Sequence, residues 1–199
     1  MEIVLASGNR GKIAELTALL APLALEVRSP ADFPGWPEIA EDGATFAENA
    51  IAKAEAGCAF TGLPTVGDDS GLEVEALGGA PGIYSARYAG KQGDAAANNA
   101  LLLQNLEGVP WEKRGARFVC AVAYKAPGAE AKVFFGETRG RILEAPRGAE
   151  GFGYDPLFLS DDLGRSFAEA DAAAKNRVSH RGRALRQLIE YLKTMGGRA

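Results

Sequence analysis

Leu63-Pro64-Thr65-Val66-Gly67-Asp68-Asp69-Ser70-Gly71-Leu72 runs from an apolar segment straight into two carboxylates and a hydroxyl. The pattern predicts strands over 64–67 and 72–74 with an acidic turn between them. Acids closing a buried strand are where a metal-dependent site would form, because hard cations such as Mg²⁺ take carboxylate oxygens, keep several waters and share nucleotide phosphates. Asp68 and Asp69 are adjacent, so in extended backbone their side chains face opposite ways. Only one of them can point squarely into a given site.

Upstream, residues 2–6 read as a short buried strand. Residues 12–20 read as a helix, with Ile13, Leu16, Leu19 and Leu20 at helical spacing before Pro22 ends it. Between them Ser7-Gly8-Asn9-Arg10-Gly11-Lys12 is a tight polar loop at a helix N-terminus, where unpaired N–H groups and the dipole favour an anion and Lys12 adds a full charge. It is not a Walker A loop, and by itself a polar-capped turn explains it equally well. A second strand is expected over 23–28. The proline-rich loop 29–43 that follows carries Trp36 and the acids Glu38, Glu41 and Asp42.

A helix over 45–60 is announced by Thr45 as N-cap and Glu48 as its capping-box partner, with Lys53 projecting from its middle. Residues 94–106 are also helical. Strands over 116–124 and 132–136 flank Pro127-Gly128-Ala129-Glu130, a hairpin signal, and Leu185, Leu188, Ile189 and Leu192 mark an amphipathic helix over 181–195. The alternation indicates an α/β fold on a mixed sheet, read as one folding unit with room for two lobes and a cleft.

Bulk properties narrow the function. A chain of 199 residues, 47% hydrophobic and 24% charged, matches an ordinary globular protein. Its net charge of −4 argues against nucleic acid or an anionic membrane as partner. No apolar run approaches the ~20 residues of a membrane span, and Met1-Glu2-Ile3-Val4-Leu5 enters a strand without a basic segment, so a cytoplasmic protein is expected. Cys58 and Cys120 lie in apolar segments without metal-ligand spacing and read as reduced, buried thiols.

Two further motifs complete a set. Gly151-Phe152-Gly153-Tyr154-Asp155-Pro156 joins aromatics to glycines that let backbone approach a ligand, so a base could stack there; taken by itself, the turn reads better as a strand entry whose Phe and Tyr belong to the core. Lys175-Asn176-Arg177-Val178-Ser179-His180-Arg181 holds the only histidine beside three cations, and a solvated basic face would look the same. One histidine without an elbow motif supports no Ser/His/Asp triad. Together the four motifs supply a phosphate cradle, a metal anchor, an aromatic wall and a cationic polar edge, which are the parts of a nucleoside triphosphate site.

In this order the motifs resemble the inosine/xanthosine triphosphate pyrophosphatase family over nearly the whole chain. The likeness is carried by Ser7-Gly8-Asn9 with Lys12 and Glu15, Thr45-Phe46 with Glu48-Asn49-Ala50 and Lys53-Ala54, and the Asp68 to Leu72 segment. Gly79-Ala80-Pro81-Gly82 with Ser85-Ala86-Arg87-Tyr88, the Gly151 to Pro156 turn and Ser179-His180-Arg181 complete it. The resemblance implies an elongated α/β fold of two lobes around a central cleft, a homodimer, Mg²⁺ dependence, and hydrolysis of deaminated purine triphosphates to monophosphate and pyrophosphate. It further implies Asp69 as general base and metal ligand, with Lys53, Asp68 and Glu41 supporting it, Glu41 at the metal. Ser7, Gly8, Asn9, Arg10, Gly11 and Lys12 would hold phosphates and Ser70 would touch substrate. Phe152, Gly153, Tyr154 and Asp155 with His180 and Arg181 would frame the base, and Lys175 would reach the substrate. One departure is Asp171-Ala172-Ala173-Ala174 before Lys175, where relatives often carry acids.

Base choice follows from polarity. Hypoxanthine and xanthine offer an O6 acceptor and an N1–H donor, the reverse of adenine, so a donor such as Arg181 or a backbone N–H aimed at O6 would reject ATP. Two alternatives stay open: a pyrophosphatase for modified pyrimidine or ordinary triphosphates, and a nucleotide sensor without turnover.

Overall fold

A computed structural model describes residues 2–196; Met1 and 197–199 lie outside the described residues. Six strands form one sheet in the order β2-β1-β3-β4-β5-β6. They are β1 (Glu2–Leu5), β2 (Glu26–Arg28), β3 (Thr65–Val74), β4 (Gly115–Lys125), β5 (Lys132–Ile142) and β6 (Phe158–Ser160). β1 runs parallel to β2 and β3, with Ile3 opposite Val27 and Leu5 opposite Val66, whereas β6 is antiparallel to β5, so the sheet is mixed. The helices are α1 (Arg10–Leu20), α2 (Phe46–Thr61), α3 (Ala95–Asn105), α4 (Ala172–Val178) and α5 (His180–Gly196). The α/β reading of the sequence holds.

The chain divides into two compact units. The first takes residues 2–69, 120–136 and 181–196 of the described chain, and the second takes 70–119 and 137–180. Each has its own apolar core. In the first, Ile3, Leu5 and Val66 of the strands meet Leu16 and Leu20 of α1 and Leu185, Leu188 and Leu192 of α5, the stripe that the helical spacing foretold. In the second, Leu72, Phe118, Ile142, Phe158 and Phe167 pack with Leu102 and Leu106 of α3.

Helix starts follow side-chain caps. Asn9 Oδ1 accepts the Lys12 N–H at 3.1 Å, Thr45 Oγ1 accepts the Glu48 N–H at 3.1 Å, and Asp94 Oδ1 accepts the Ala97 N–H at 3.0 Å. Two expectations need adjusting here. α1 begins at Arg10, so Arg10, Gly11 and Lys12 form its first turn and not a loop before it. The Glu48 carboxylate reaches back to the Ala44 N–H at 2.7 Å, one residue beyond the capping-box target.

The larger correction concerns the acidic turn. Residues 65–74 form one uninterrupted strand, so Asp68 and Asp69 sit inside β3, where the sequence suggested a break. Two charges are tolerated there because both are paired, as described below. Gly67 is required by close approach: a Cβ on it would run into the Ala50 carbonyl and the Ala54 amide of α2. Hence the face of β3 that carries Gly67 and Asp69 is pressed onto α2. The opposite face, with Val66 and Asp68, looks toward α1 and α5. β5 continues to Ile142, past the expected end at 136, while α4 and the short β6 gave no periodic signal.

Candidate active site

In the first unit the two adjacent aspartates serve opposite faces of β3. Asp69 is held at both oxygens from one turn of α2: Lys53 Nζ donates to Oδ1 at 2.9 Å and Asn49 Nδ2 to Oδ2 at 3.2 Å. Asn49 and Lys53 are four residues apart and so share one helix face. The same ammonium lies 2.9 Å from Glu41 Oε1, which the loop before α2 brings in. Burial pushes the Asp69 carboxyl above its ordinary range despite the neighbouring Lys53 and Lys12. Burial works the other way on Lys53, but Asp69 and Glu41 together hold its pKa raised. A carboxylate poised upward and tethered by hydrogen bonds is suited to accept a proton.

Asp68 is 2% exposed and belongs to a different network. Arg181 Nε donates to its Oδ2 at 2.8 Å, Lys12 Nζ lies 2.6 Å from its Oδ1, and the Cys120 thiol donates to Oδ2 at 3.1 Å. Arg181, 1% exposed, also pairs with Glu15 of α1. Burial alone would raise the Asp68 carboxyl; the Arg181 guanidinium and the Lys12 ammonium instead hold it well below the usual range. Burial, with Asp68 beside it, pushes the Cys120 thiol well up. Lys12, expected as an exposed loop cation, is therefore tied to a buried acid. Arg181, expected as a donor toward O6, has its guanidinium engaged by Asp68 and Glu15. The phosphate-cradle residues Ser7, Gly8 and Asn9 lie ahead of the first turn of α1, Asn9 N–H donating to Ser7 Oγ at 3.2 Å. Arg10 and Gly11 occupy its first two helical positions, where amides have no intrahelical acceptor.

The second unit gathers the aromatic turn. Asp155 Oδ2 accepts the Phe152 N–H at 2.8 Å and pairs with Lys175 Nζ at 2.6 Å, and that ammonium stands 4.7 Å from the centre of the Phe152 ring. Asn99 of α3 donates from Nδ2 to the Gly153 carbonyl at 3.0 Å, anchoring the same turn. Asp171 caps α4 by accepting the Ala174 N–H at 2.7 Å, so the alanine run before Lys175 is helical. Phe152 is half-buried, but Tyr154 is 5% exposed and packs in the core, its hydroxyl donating to the Ser85 carbonyl at 2.8 Å. Of the two rings expected as a wall, Tyr154 is a core residue. A large ring is best placed in the core once its O–H finds a partner. His180 is likewise buried, stacked on Phe118 with centroids 4.7 Å apart and planes 11° from parallel. Ser70 is half-buried on β3.

Asn49, Cys120, Asn98 and Asn99 were not read as site residues from sequence. Asn49 had a usable signal: with Lys53 it interrupts the stripe Phe46, Ala50, Ala54 and Gly57 on the buried face of α2. A polar side chain on such a stripe needs a partner. Asn98, which accepts the Ala89 N–H at 2.7 Å, and Asn99 have no such pattern to single them out.

The donor set fits a hard divalent cation. Asp69 and Glu41 already converge on one positive charge, the Lys53 ammonium, and offer only hard oxygen donors. No cluster of three or more His, Cys, Asp or Glu suited to a metal occurs among the described residues.

Fold and clusters together define an α/β protein organised around buried carboxylate–lysine pairs. Residues 3–191 match the model of the Ham1 family, and the chain belongs to that family. It is 50% identical to a dITP/XTP pyrophosphatase of Geobacter sulfurreducens over 98% of each chain. It is 52% identical to one of Lactiplantibacillus plantarum over 94% of this chain and 92% of the relative. Its structure is similar to that of the Staphylococcus aureus Ham1 protein, with a TM-score of 0.86 at 39% identity over 98% of this chain and 100% of the other.

Proposed function

We propose that this protein hydrolyses deaminated purine nucleoside triphosphates, ITP, dITP and XTP, to the monophosphate and pyrophosphate. Full-length relatives half identical to it carry the name dITP/XTP pyrophosphatase. Within the chain the reading rests on one observation above all: Asp69, buried and raised by burial, gripped at one oxygen by Lys53 and at the other by Asn49, beside Glu41.

In this role Asp69 takes a proton from the attacking water while the water oxygen forms the new bond to phosphorus and the bond to the pyrophosphate oxygen breaks. Lys12 and Lys53 offset charge on the phosphates. Asp69 and Glu41 would hold Mg²⁺, which when bound neutralises phosphate charge and favours a nucleophilic water. In the second unit the Phe152 ring and the backbone of the 151–155 turn serve the base, and Lys175 holds that turn through Asp155. Arg181 acts by fixing Asp68 and α1. The same reading carries a homodimer at work in the cytoplasm.

Pyrophosphate release measured side by side with ITP, XTP, dITP, GTP and ATP tests it. The 6-oxo bases of ITP, XTP and dITP should be turned over well and ATP poorly. Equal rates on all five would point to a general triphosphate pyrophosphatase, and triphosphate surviving with Mg²⁺ to a sensor.

A further inference from the structure

Asn49 is 1% exposed, and both ends of its amide are used. Nδ2 donates to Asp69 Oδ2 at 3.2 Å, and Oδ1 accepts the Gly43 N–H at 2.8 Å. The orientation is fixed by chemistry: an ionised carboxylate only accepts and a backbone N–H only donates, so a flipped amide would lose both bonds. Gly43 belongs to the acidic segment that carries Glu41, two residues before it. A Cβ on Gly43 would stand 2.7 Å from Asn49 Oδ1 and 2.8 Å from Glu48 Cβ, so the absence of a side chain there makes room for the contact. Asparagine is a poor helix former and costly to bury unless satisfied, and alanine fills the neighbouring positions 50 and 54 of the same face. Its presence calls for a function that alanine could not supply.

We infer that Asn49, with Gly43, is a positioning residue for the proposed reaction: one side chain holds the Asp69 carboxylate in orientation and ties it to the loop that presents Glu41. The two acids are thus set relative to each other through one side-chain amide. The inference rests on the pyrophosphatase reading for its kinetic consequence, but the bridge itself can be seen without turnover.

Two variants and two measurements decide it. Gly43→Ala pushes on Asn49 from a half-buried loop position, and Asn49→Asp keeps the acceptor for Gly43 but sets a second carboxylate oxygen against Asp69. With ITP, both should lower kcat by about tenfold or more, the scale of one lost hydrogen bond in the transition state, while KM stays within about twofold. The Asn49 side-chain amide resonance in a ¹⁵N-labelled sample should shift in Gly43→Ala and also in Asp69→Asn, whether or not either variant is active. Unchanged kcat in both variants would overturn the inference. So would parallel changes in kcat, KM and melting temperature, which signal a merely structural role, or an Asn49 amide indifferent to Asp69→Asn. If wild-type protein releases no pyrophosphate from any triphosphate, the functional reading falls, and the resonance still decides whether Asn49 bridges Asp69 and the acidic loop.

Discussion

Two buried lysines, one in each unit, are paired with aspartates in different ways. Lys53 lies between two carboxylates, 2.9 Å from both Asp69 and Glu41. Lys175 pairs with Asp155 at 2.6 Å and stands over the rings of Phe152 at 4.7 Å and Phe167 at 5.7 Å. On the proposed reading the first cluster, with two acids, is the one that would meet a further cation. The second ties the turn at 151–155 to α4 through Asp155. The same residue pair therefore sits in two settings, with a second acid beside Lys53 and aromatic rings beside Lys175.

The largest expected effect would break this contrast most directly. Asp69→Asn should cut pyrophosphate release by about 10²- to 10⁴-fold while the melting temperature moves by only a few degrees. Near-normal release from a folded variant would remove Asp69 from the chemistry.

Next comes Arg181→Ala, which strips a buried cation from Asp68 and Glu15 and should cost about 3–5 kcal/mol in urea unfolding. Its ITP/ATP ratio of kcat/KM should change little. A collapse of that ratio with stability intact would make Arg181 a base reader after all.

Comparing the lysines themselves sharpens the point. Lys53→Met should act mainly on kcat and Lys175→Met mainly on KM, each by about 10- to 150-fold, the range for a charged hydrogen bond. Identical kinetic signatures would mean that the two pairs do the same work.

The smallest effect is on stability against pH. Asp68 is depressed in the folded protein, so it contributes stability above the ordinary carboxylate range that is lost as pH falls through its lowered value. Asp69, raised by burial, contributes stability that is fully present below that range and lost as pH rises through its folded value. Melting curves between about pH 7 and pH 3 should therefore fall off less steeply toward acid in Asp68→Asn and more steeply in Asp69→Asn than in wild type.

Much of this was legible from residues alone. Helical spacing located α1, α3 and α5, the cap at Thr45 located α2, and the Pro127-Gly128 turn located the β4–β5 hairpin. Adjacency of Asp68 and Asp69 was enough to require that they serve different faces, because side chains alternate along a strand. α4 was not legible in the same way: Asp171-Ala172-Ala173-Ala174 has no apolar period, and its cap acts through one hydrogen bond.

Sequence by itself determined the fold class, the family and the roster of charged and aromatic residues, since these depend on local pattern and order. Only the tertiary structure decided which partners each of them meets. It closed β3 over the acids because Lys53, Lys12 and Arg181 arrive to neutralise them. It turned Lys12 and Arg181 into partners of Asp68, placed Tyr154 and His180 in the core, and gave Asn49 its place between Asp69 and Gly43. Those assignments depend on which charges and donors meet after residues as far apart as 68 and 181 have been brought together, and hydrogen bonds and ion pairs act over distances that no local pattern encodes.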